Sequence, residues 1–353
     1  MQIHKRISFW AVLCVCVVLV AAQGWAQSGQ RSGTAGATEL LIPVGSVGSA
    51  LGGANMAYSS GVEAIHWNPA GAAASPDRFE VLVSHLKYIG DINVNYAAGV
   101  FKAGSFGSLG FSFRTLDFGD IAVTNETAPD GTGETFSPNY VTLGLTYSRS
   151  MTDRINFGTN IKVISEKIIR ETAAGIAFDF GIQYRTTMGM AFGVTLKNIG
   201  PNMKFDGSDL EVTTDDQSGR PDAEDERFRI PLANYELPTS LEIGVSYMAN
   251  LNESNHLTFM GSFMNSNFGF DEYRLAAEYN LGDFVFVRGS YVLGYDSSDE
   301  KLRSADDRFI FGPSLGGGLN LKVGETMNLN VDYAYRVTEL FDANQWVSLR
   351  IGF

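Results

Sequence analysis

Apolar and polar side chains alternate along most of the chain after residue 76. In 347–353 every odd position is apolar and every even position is polar or glycine. The same alternation occurs in five further segments, which are 141–148, 176–185, 241–247, 319–323 and 327–337. A period of two places successive side chains on opposite faces of a strand, so the pattern predicts β-strands with one apolar and one polar face.

Applied to the whole chain, this pattern predicts fourteen strands. They are 78–88, 91–101, 107–116, 139–150, 155–168, 172–185, 189–199, 239–249, 256–265, 272–281, 283–293, 311–322, 326–336 and 345–353. Most are long enough to cross a bilayer at the tilt of barrel strands, and an even number is typical of bacterial single-chain barrels.

A soluble β-sandwich would also alternate, but two features favour a membrane barrel. The polar face carries Arg, Lys, Asp and Glu in mid-strand, which suits a wet or hydrogen-bonded lumen, and Tyr and Phe recur at strand ends as in interfacial aromatic girdles. The sequence therefore predicts an all-β fold, a transmembrane antiparallel β-barrel of about fourteen strands covering 77–353.

The predicted connections are of two kinds. Short ones, at Gly90-Asp91, 151–154, 280–283 and Gly324-Glu325, read as periplasmic or hairpin turns, whereas 117–138, 200–238, 294–310 and 337–344 are expected to be extracellular loops. We expect the N-terminus to face the periplasm with the short turns. Acidic residues crowd 206–226, which is either a solvated loop or a site for a divalent cation.

The first 26 residues have the layout of a secretory signal peptide. Lys5 and Arg6 precede an apolar run over 7–22, and Gly24 and Ala26 are small residues suited to cleavage after Ala26. The run is short for a membrane-spanning helix, although an uncleaved anchor is the alternative. Both cysteines, Cys14 and Cys16, lie in this run, so the mature chain lacks thiols.

The charge balance argues against nucleic acid as a partner. The chain carries 26 Lys and Arg against 39 Asp and Glu, a formal net charge of −13, and loss of Lys5 and Arg6 makes it more acidic. Affinity for nucleic acid comes largely from neutralising phosphates, which an acidic protein does poorly. The predicted partners are instead outer-membrane lipid and lipopolysaccharide.

Residues 27–76 do not alternate and are rich in small side chains, which suits a hatch segment folded inside the lumen. Its sequence contains Leu51-Gly52-Gly53-Ala54 and, further on, Trp67-Asn68-Pro69-Ala70-Gly71. An Asn before Pro is biased away from helix, and Pro69 fixes φ, so 67–71 is expected to be a rigid corner. Whether this corner also contacts a ligand is open from the sequence.

These residues resemble the signature of the PorV/PorQ family, which is related to the FadL-type long-chain fatty-acid transporters. The short string Asn68-Pro69-Ala70 looks like the motif of the FadL hatch, and FadL-type proteins are fourteen-stranded barrels. The resemblance implies hatch residues at Gly52, Gly53, Trp67, Asn68, Pro69, Ala70 and Gly71. The predicted loops of this chain, however, are mostly acidic and polar, unlike the apolar loops of FadL-type transporters.

The resemblance implies two functions and leaves a third. The first is a component of type IX-like protein secretion or outer-membrane assembly, with secreted cargo proteins or secretion components as partners. The second is passive transport of long-chain fatty acids or other hydrophobic small molecules. The third is a structural barrel of another role, because fold alone does not fix function.

The last strand ends in an aromatic residue. Leu349, Ile351 and Phe353 on one face of an alternating terminal strand resemble the insertion signal read by the bacterial barrel-assembly machinery, which is thus an expected partner.

The sequence offers little catalytic or metal-binding chemistry, and neither a catalytic site nor a cofactor is predicted. Outside the signal peptide the histidines are His66, His85 and His256, and none has a second ligand at metal spacing. Ser84 beside His85 is read as an ordinary pair of strand residues. We therefore expect a protein that is not an enzyme, and outside the acidic loop 206–226 we predict no metal site.

Overall fold

Fourteen antiparallel strands form one closed barrel in a computed structural model, which describes residues 33–214, 226–296, 300–306, 308–324 and 326–353. The strands are Phe79–Lys87 (β1), Asn93–Lys102 (β2), Ser108–Asp117 (β3), Asn139–Ser150 (β4), Ile155–Ile168 (β5), Glu171–Arg185 (β6), Met190–Ile199 (β7), Ser240–Asn250 (β8), Asn255–Ser266 (β9), Asp271–Leu281 (β10), Val285–Asp296 (β11), Phe311–Val323 (β12), Met327–Thr338 (β13) and Asn344–Gly352 (β14).

The barrel closes by pairing its first and last strands. Each strand pairs with its neighbour in sequence, and β14 pairs with β1 with Leu349 opposite Val83. Closure leaves no free sheet edge, which is what a β-structure in lipid requires. The predicted fold class is confirmed, and so are all fourteen strands; the largest discrepancy is at β11, predicted as 283–293.

Alternation sorts side chains between the lumen and the outer face as the sequence predicts. On β14, Trp346 and Ser348 are buried, whereas Val347 is 53% exposed and Leu349 is 41% exposed. The exposed residues are apolar because they face lipid. Charged residues on the buried polar face form ion pairs with one another. Arg288 on β11 lies between Glu278 and Asp332, at 2.5 and 2.6 Å.

All the long connections lie at one end of the barrel, and every connection at the other end is short. Because outer-membrane barrels have short periplasmic turns and longer extracellular loops, we name the end with 118–138 and 200–239 the extracellular end. The predicted turns 151–154 and 280–283 lie at the periplasmic end, although the second is confined to 282–284 because β10 continues to Leu281. The Gly90-Asp91 turn joins β1 to β2 at the extracellular end instead, where positive φ values let the chain reverse tightly.

The connections contain a few small elements. Three 3₁₀ turns are Ile89–Asp91, Gly104–Phe106 and Ser208–Leu210. The short strands are Ile121–Ala122, which pairs with Thr135–Phe136; Glu211–Thr214, which pairs with Glu226–Arg229; Phe205–Asp206, which pairs with β6; and Lys301–Arg303, which pairs with β11.

Some predictions fall outside the described residues. The signal peptide, with its cysteines and cleavage site, is one of them, and Glu325 and acidic residues 215–225 are others. Within the described part of the acidic loop, Asp206 pairs with Arg229 and Asp209 pairs with Arg170 at 3.3 Å. The described ranges contain no cluster of three or more potential metal ligands.

The N-terminal segment, described from residue 33 to residue 76, forms six short helices rather than strands. They are Thr38–Leu41, Ser46–Ala50, Ala54–Ala57, Gly61–Glu63, Ala64–Trp67 and Pro69–Ala74. No helix among the described residues is long and apolar enough to cross a membrane.

This segment packs inside the barrel against strands on all sides. Its backbone or side chains bond Ser348 on β14, Glu80 on β1, Ser148 on β4, Gln183 on β6 and Ser290 on β11. These wall residues occupy inward-facing polar positions of the alternating pattern. The N-terminal segment is therefore a hydrogen-bonding partner of the polar face of the barrel.

The N-terminal segment enters the barrel from the extracellular end. Gly36 donates its backbone N–H to the carbonyl oxygen of Glu236 in the β7–β8 connection, at 3.1 Å. Val62 and Ala73 contact the wall near the periplasmic start of β1 and end of β4. The expectation that the N-terminal end lies with the short turns is therefore wrong for the described residues, because the segment descends through the lumen before β1 begins.

Candidate functional site

Asn68 is the corner that the motif predicts, and it ties the N-terminal segment to the wall. Its Oδ1 accepts from the Ala70 N–H at 3.2 Å, which caps the helix Pro69–Ala74. Its Nδ2 donates to the carbonyl oxygens of Met56 at 3.0 Å and of Ile182 on β6 at 3.2 Å. Pro69 takes the first helical position, where its missing N–H costs nothing.

The remaining motif residues gather around this corner. Ala70 accepts a hydrogen bond from Ser148 at 2.9 Å through its carbonyl oxygen, and Gly71 is buried beside Ser59. Gly52 and Gly53 both have positive φ, and a Cβ at Gly53 would lie 2.9 Å from the Trp67 ring. Small size is thus needed where the segment folds on itself.

Glycines on the wall match the surface of the N-terminal segment. Gly193 on β7 lies against Ala57, Gly244 on β8 against Met56, Gly110 on β3 against Ile65 and Gly158 on β5 against Pro69. All stand at inward positions of the alternation, where a polar residue is the rule. The sequence alone did not single out these glycines, because a glycine on the polar face of a strand resembles any other small residue. Their inward positions were nevertheless the one feature of the sequence that could have indicated close contact between the wall and the N-terminal segment.

A cavity of about 590 Å³ lies between the N-terminal segment and the extracellular connections. Thr38–Leu41, His66 and Trp67 line the side formed by the segment. Trp67 is thus the motif residue at the cavity, while Asn68 and Ala70 are hydrogen-bonded to the wall and Pro69 packs against Gly158. The corner is a structural support, and the residue beside it faces the free space.

The lower wall of the cavity is charged and paired. Lys162 contacts Asp179 at 2.7 Å, and Lys197 contacts Glu242 at 3.0 Å while lying 5.6 Å from the Trp67 ring. Arg274 bonds Glu272 at 2.8 Å and lies 3.4 Å from Glu242. These pairs neutralise one another inside the lumen, where unpaired charges are costly.

The upper wall of the cavity is mainly apolar and aromatic, with Arg308, which contacts Asp296 at 3.1 Å, as its charged residue. Its lining residues are Tyr88, Ile92, Leu116, Phe118, Phe270, Phe309, Ile310 and Phe311. The cavity therefore has one charged and one apolar region, the arrangement that orients an amphipathic molecule.

Arg336 on β13 stands where the two regions meet. Its side chain is buried, Nε donates to Ser314 Oγ at 2.9 Å, and the guanidinium lies 5.2 Å from the Phe311 ring and 5.9 Å from the Trp346 ring. Among the described residues, no carboxylate lies within ion-pair distance of it. The two terminal nitrogens of Arg336, which lines the cavity, are therefore available to donate hydrogen bonds to an acidic or strongly accepting group of a ligand.

Arg114 on β3 holds two parts of the N-terminal segment. It donates to the carbonyl oxygen of Glu39 at 2.7 Å and to Nδ1 of His66 at 3.0 Å. Burial, followed by the charge of Arg114, holds the pKa of His66 well below its ordinary value. The imidazole is consequently neutral and can accept this bond.

Of the other sequence candidates, Ser84 faces the lumen, whereas His85 and the residues of the insertion signal lie on the outer face. Ser84 faces inward and bonds Ser348, whereas His85 faces outward and contacts Asn95 at 2.8 Å, so alternation separates the two. Leu349, Ile351 and Phe353 share the outer face of the last strand. Phe353 bonds the Phe79 carbonyl oxygen at 2.9 Å and stacks on its ring.

Comparison with known proteins supplies a fold but no family. Neither the protein-family models nor the curated proteins contain a match to this chain. Among solved structures, the CymD monoaromatic hydrocarbon channel matches with a TM-score of 0.53 at 12% identity, covering 89% of this chain and 98% of that one. The Pseudomonas putida toluene transporter TodX gives 0.55 at 11% identity, covering 87% and 96%. The chain is thus an outer-membrane β-barrel with the fold that these hydrocarbon channels share.

Proposed function

We propose that this protein is a passive channel for hydrophobic small molecules, and that the cavity below the extracellular connections is its binding site. The observation that carries the proposal is the cavity itself, about 590 Å³ with an aromatic upper wall and Arg336 free to receive a ligand. The volume lies within the range of about 300–1,000 Å³ typical of small-molecule sites.

Exposed apolar side chains at the extracellular end support the capture of such molecules. Phe228 is 54% exposed and Ile230 is 49% exposed, both in the β7–β8 connection, and Leu232 follows them. Despite its acidic sequence, this connection thus exposes apolar side chains at the extracellular end of the barrel. The shared fold with channels named for toluene and monoaromatic hydrocarbons adds support of a general kind.

Arg336 favours a hydrophobic compound that carries an acid group over a neutral hydrocarbon. A carboxylate can take both terminal nitrogens of a guanidinium while its chain packs on Phe309 and Phe311. Long-chain fatty acids have this chemistry. The alternative role in type IX-like secretion depends on the resemblance of residues 51–71 to the PorV/PorQ signature, and no feature of the cavity requires it.

Binding to the purified barrel tests this function. With radiolabelled palmitate below its micellar concentration and the protein in amphipol, we expect saturable binding that unlabelled palmitate displaces better than 1-hexadecanol does. Replacing Arg336 by Leu should weaken palmitate binding about 10- to 100-fold, the value of a charge-assisted hydrogen bond, and leave hexadecanol binding unchanged.

Arg170→Leu is the matched control, because Arg170 is an exposed arginine in the β5–β6 turn whose described ion pair is with Asp209. It should bind palmitate like the wild type. Absence of saturable binding by either amphiphile would refute the channel proposal. Equal palmitate affinity in Arg336→Leu and wild type would refute the role of Arg336.

A further inference from the structure

Two buried carboxyl groups lie where the N-terminal segment meets the barrel wall, around Tyr235, which packs against Gly36 and bonds one of the two. Glu39 comes from the first helix of the segment, Thr38–Leu41, and Glu166 comes from β5. Each residue is 3% exposed. Buried carboxylates need a partner, because the charged form loses its hydration.

The two carboxyl groups differ in their hydrogen-bond donors. Glu166 Oε2 accepts a hydrogen bond from the Tyr235 hydroxyl at 2.7 Å. Neither carboxyl oxygen of Glu39 has a donor among the described residues, since Arg114 binds the backbone carbonyl oxygen of Glu39 instead. Two carboxylates are both acceptors, so the neighbouring groups can bond each other only when one of them carries a proton.

We infer that Thr38–Leu41 is a proton-dependent latch, in which Glu39 and Glu166 share a proton and thereby hold the N-terminal segment against β5 and the β7–β8 connection. A divalent cation is a poorer occupant, because it needs at least six oxygen ligands and the described residues contain no cluster of three potential ligands. The idea that the latch regulates the cavity rests on the proposed function. The existence of the latch as a structural switch does not depend on that function.

The electrostatics of the site favour a shared proton near neutral pH. Burial, followed by the charge of Glu166, raises the pKa of Glu39 to about 8. Arg114 on β3 opposes this shift and in turn contacts His66. Among the described residues, Tyr140 on β4 and Tyr235 also face the pair. The shift arises because the neutral acid is the form that can be buried here.

The direction of the pH effect follows from this raised pKa. The stabilisation by protonated Glu39 is fully present below its ordinary pKa of 4.5 and is lost as the pH rises through about 8. Above that pH two like charges face each other in a buried site. The latch should therefore be closed in acid and neutral solution and released in alkaline solution.

Release would change the cavity directly, since Thr38–Leu41 forms part of its lining. Leu40 packs in a cluster with Ile164 on β5 and with Met203 and Leu237 of the β7–β8 connection. Gly36 bonds Glu236 in the same connection. Movement of this helix would thus separate the segment from both the wall and the extracellular connection.

Spin-label mobility tests the latch without any ligand. Leu41 is partly exposed beside Glu39, and a cysteine placed there in the processed chain is unique, since Cys14 and Cys16 lie in the signal peptide. For nitroxide-labelled Leu41→Cys in nanodiscs, we expect an immobile spectrum at pH 6.5 and a reversible change to a mobile one, with its midpoint at or above pH 8.

Two variants in this background identify the source of the transition. Glu39→Gln can donate to Glu166 at every pH, so the mobile component should be lost up to pH 10. Glu63→Gln is the matched control: Glu63 is another buried carboxyl of the N-terminal segment, and burial raises its pKa to about 7. This variant should keep the transition of the wild type.

An unchanged transition in Glu39→Gln, or an immobile wild-type spectrum up to pH 10, would overturn the latch. Unheated gel migration shows whether each variant has kept its barrel, so unfolding is recognised separately. Palmitate binding is measured at constant pH. Failure of binding with an intact transition would therefore reject the channel and keep the switch, and the opposite pattern would reject the switch alone.

Discussion

Gly193 on β7 lies directly against Ala57 of the N-terminal segment: a Cβ built at Gly193 would fall 2.8 Å from the Cα of Ala57. That separation is shorter than real contacts of this type, and the neighbouring atoms are backbone, which cannot rotate away. Only a residue without a side chain therefore fits at this position of the wall while the N-terminal segment packs against it.

Replacing Gly193 by Val should displace the N-terminal segment and leave the barrel closed. Overpacking costs about 1–3 kcal/mol, and the strand ladder does not depend on the segment. Single-channel conductance in planar bilayers should increase, while unheated gel migration stays that of a folded barrel. Gly261→Val is the control, because a Cβ at Gly261 would lie an ordinary 3.6 Å from the Leu275 side chain. Equal conductance of the two variants would disprove the close fit.

Replacing Asn68-Pro69-Ala70 with Gly-Ser-Gly should loosen the corner without opening the barrel. The Asn68 amide bonds to Met56 and Ile182 disappear, at about 1 kcal/mol each. Hydrogen exchange of 54–74 should become faster, while exchange in β4 to β7 stays slow. If the strand amides lose protection as well, the N-terminal segment is a structural part of the barrel wall and not a separate element packed inside the barrel.

Leu349 and Arg350 should respond in opposite ways to a change of charge. Leu349 faces outward, where a charge near the bilayer midplane costs about 2–4 kcal/mol. Leu349→Arg should therefore lower the stability of the folded barrel in urea, and Arg350→Gln should change it little because Arg350 faces inward. Comparable losses in the two variants would mean that the faces of β14 are assigned wrongly.

Phe353 should be needed for efficient insertion into the outer membrane. In the folded barrel its N–H bonds the Phe79 carbonyl oxygen at 2.9 Å, and its carbonyl oxygen accepts from the Arg78 N–H at 2.8 Å. Phe353→Asp should reduce the amount in the outer membrane and increase degradation in the periplasm, as cell fractionation can show. Phe341→Asp, at an exposed Phe of the β13–β14 connection, should insert normally; a shared defect would point to general loss of apolar surface.

An epitope inserted after Asp209 should be detected on whole cells. Asp209 belongs to the β7–β8 connection at the end that carries the long loops. The same epitope after Thr152, in the β4–β5 turn, should be detected only after the cells are permeabilised. The reverse pattern would invert the barrel in the membrane.

Local pattern was enough to predict the strands. Whether a residue of β14 faces lipid or lumen depends on its parity, so the alternation alone assigns Val347, Ser348 and Leu349 to their faces. The corner at Asn68 was equally local, since proline restricts the residue before it. The extracellular position of the Gly90-Asp91 turn was not predicted, because turn length alone does not say at which end a hairpin lies.

The site itself is a product of closure and packing. Glu39, Arg114, Glu166 and Tyr235 come from four distant parts of the chain, and no spacing in the sequence relates them. Pairing β14 with β1 brings Ser348 to within 2.9 Å of the Ser46 N–H, across 302 positions. The sequence by itself determined the strands, their faces and the corner, because these follow from neighbouring residues. The tertiary structure decided which residues line the cavity, because only the closed barrel with the N-terminal segment inside it sets those distances.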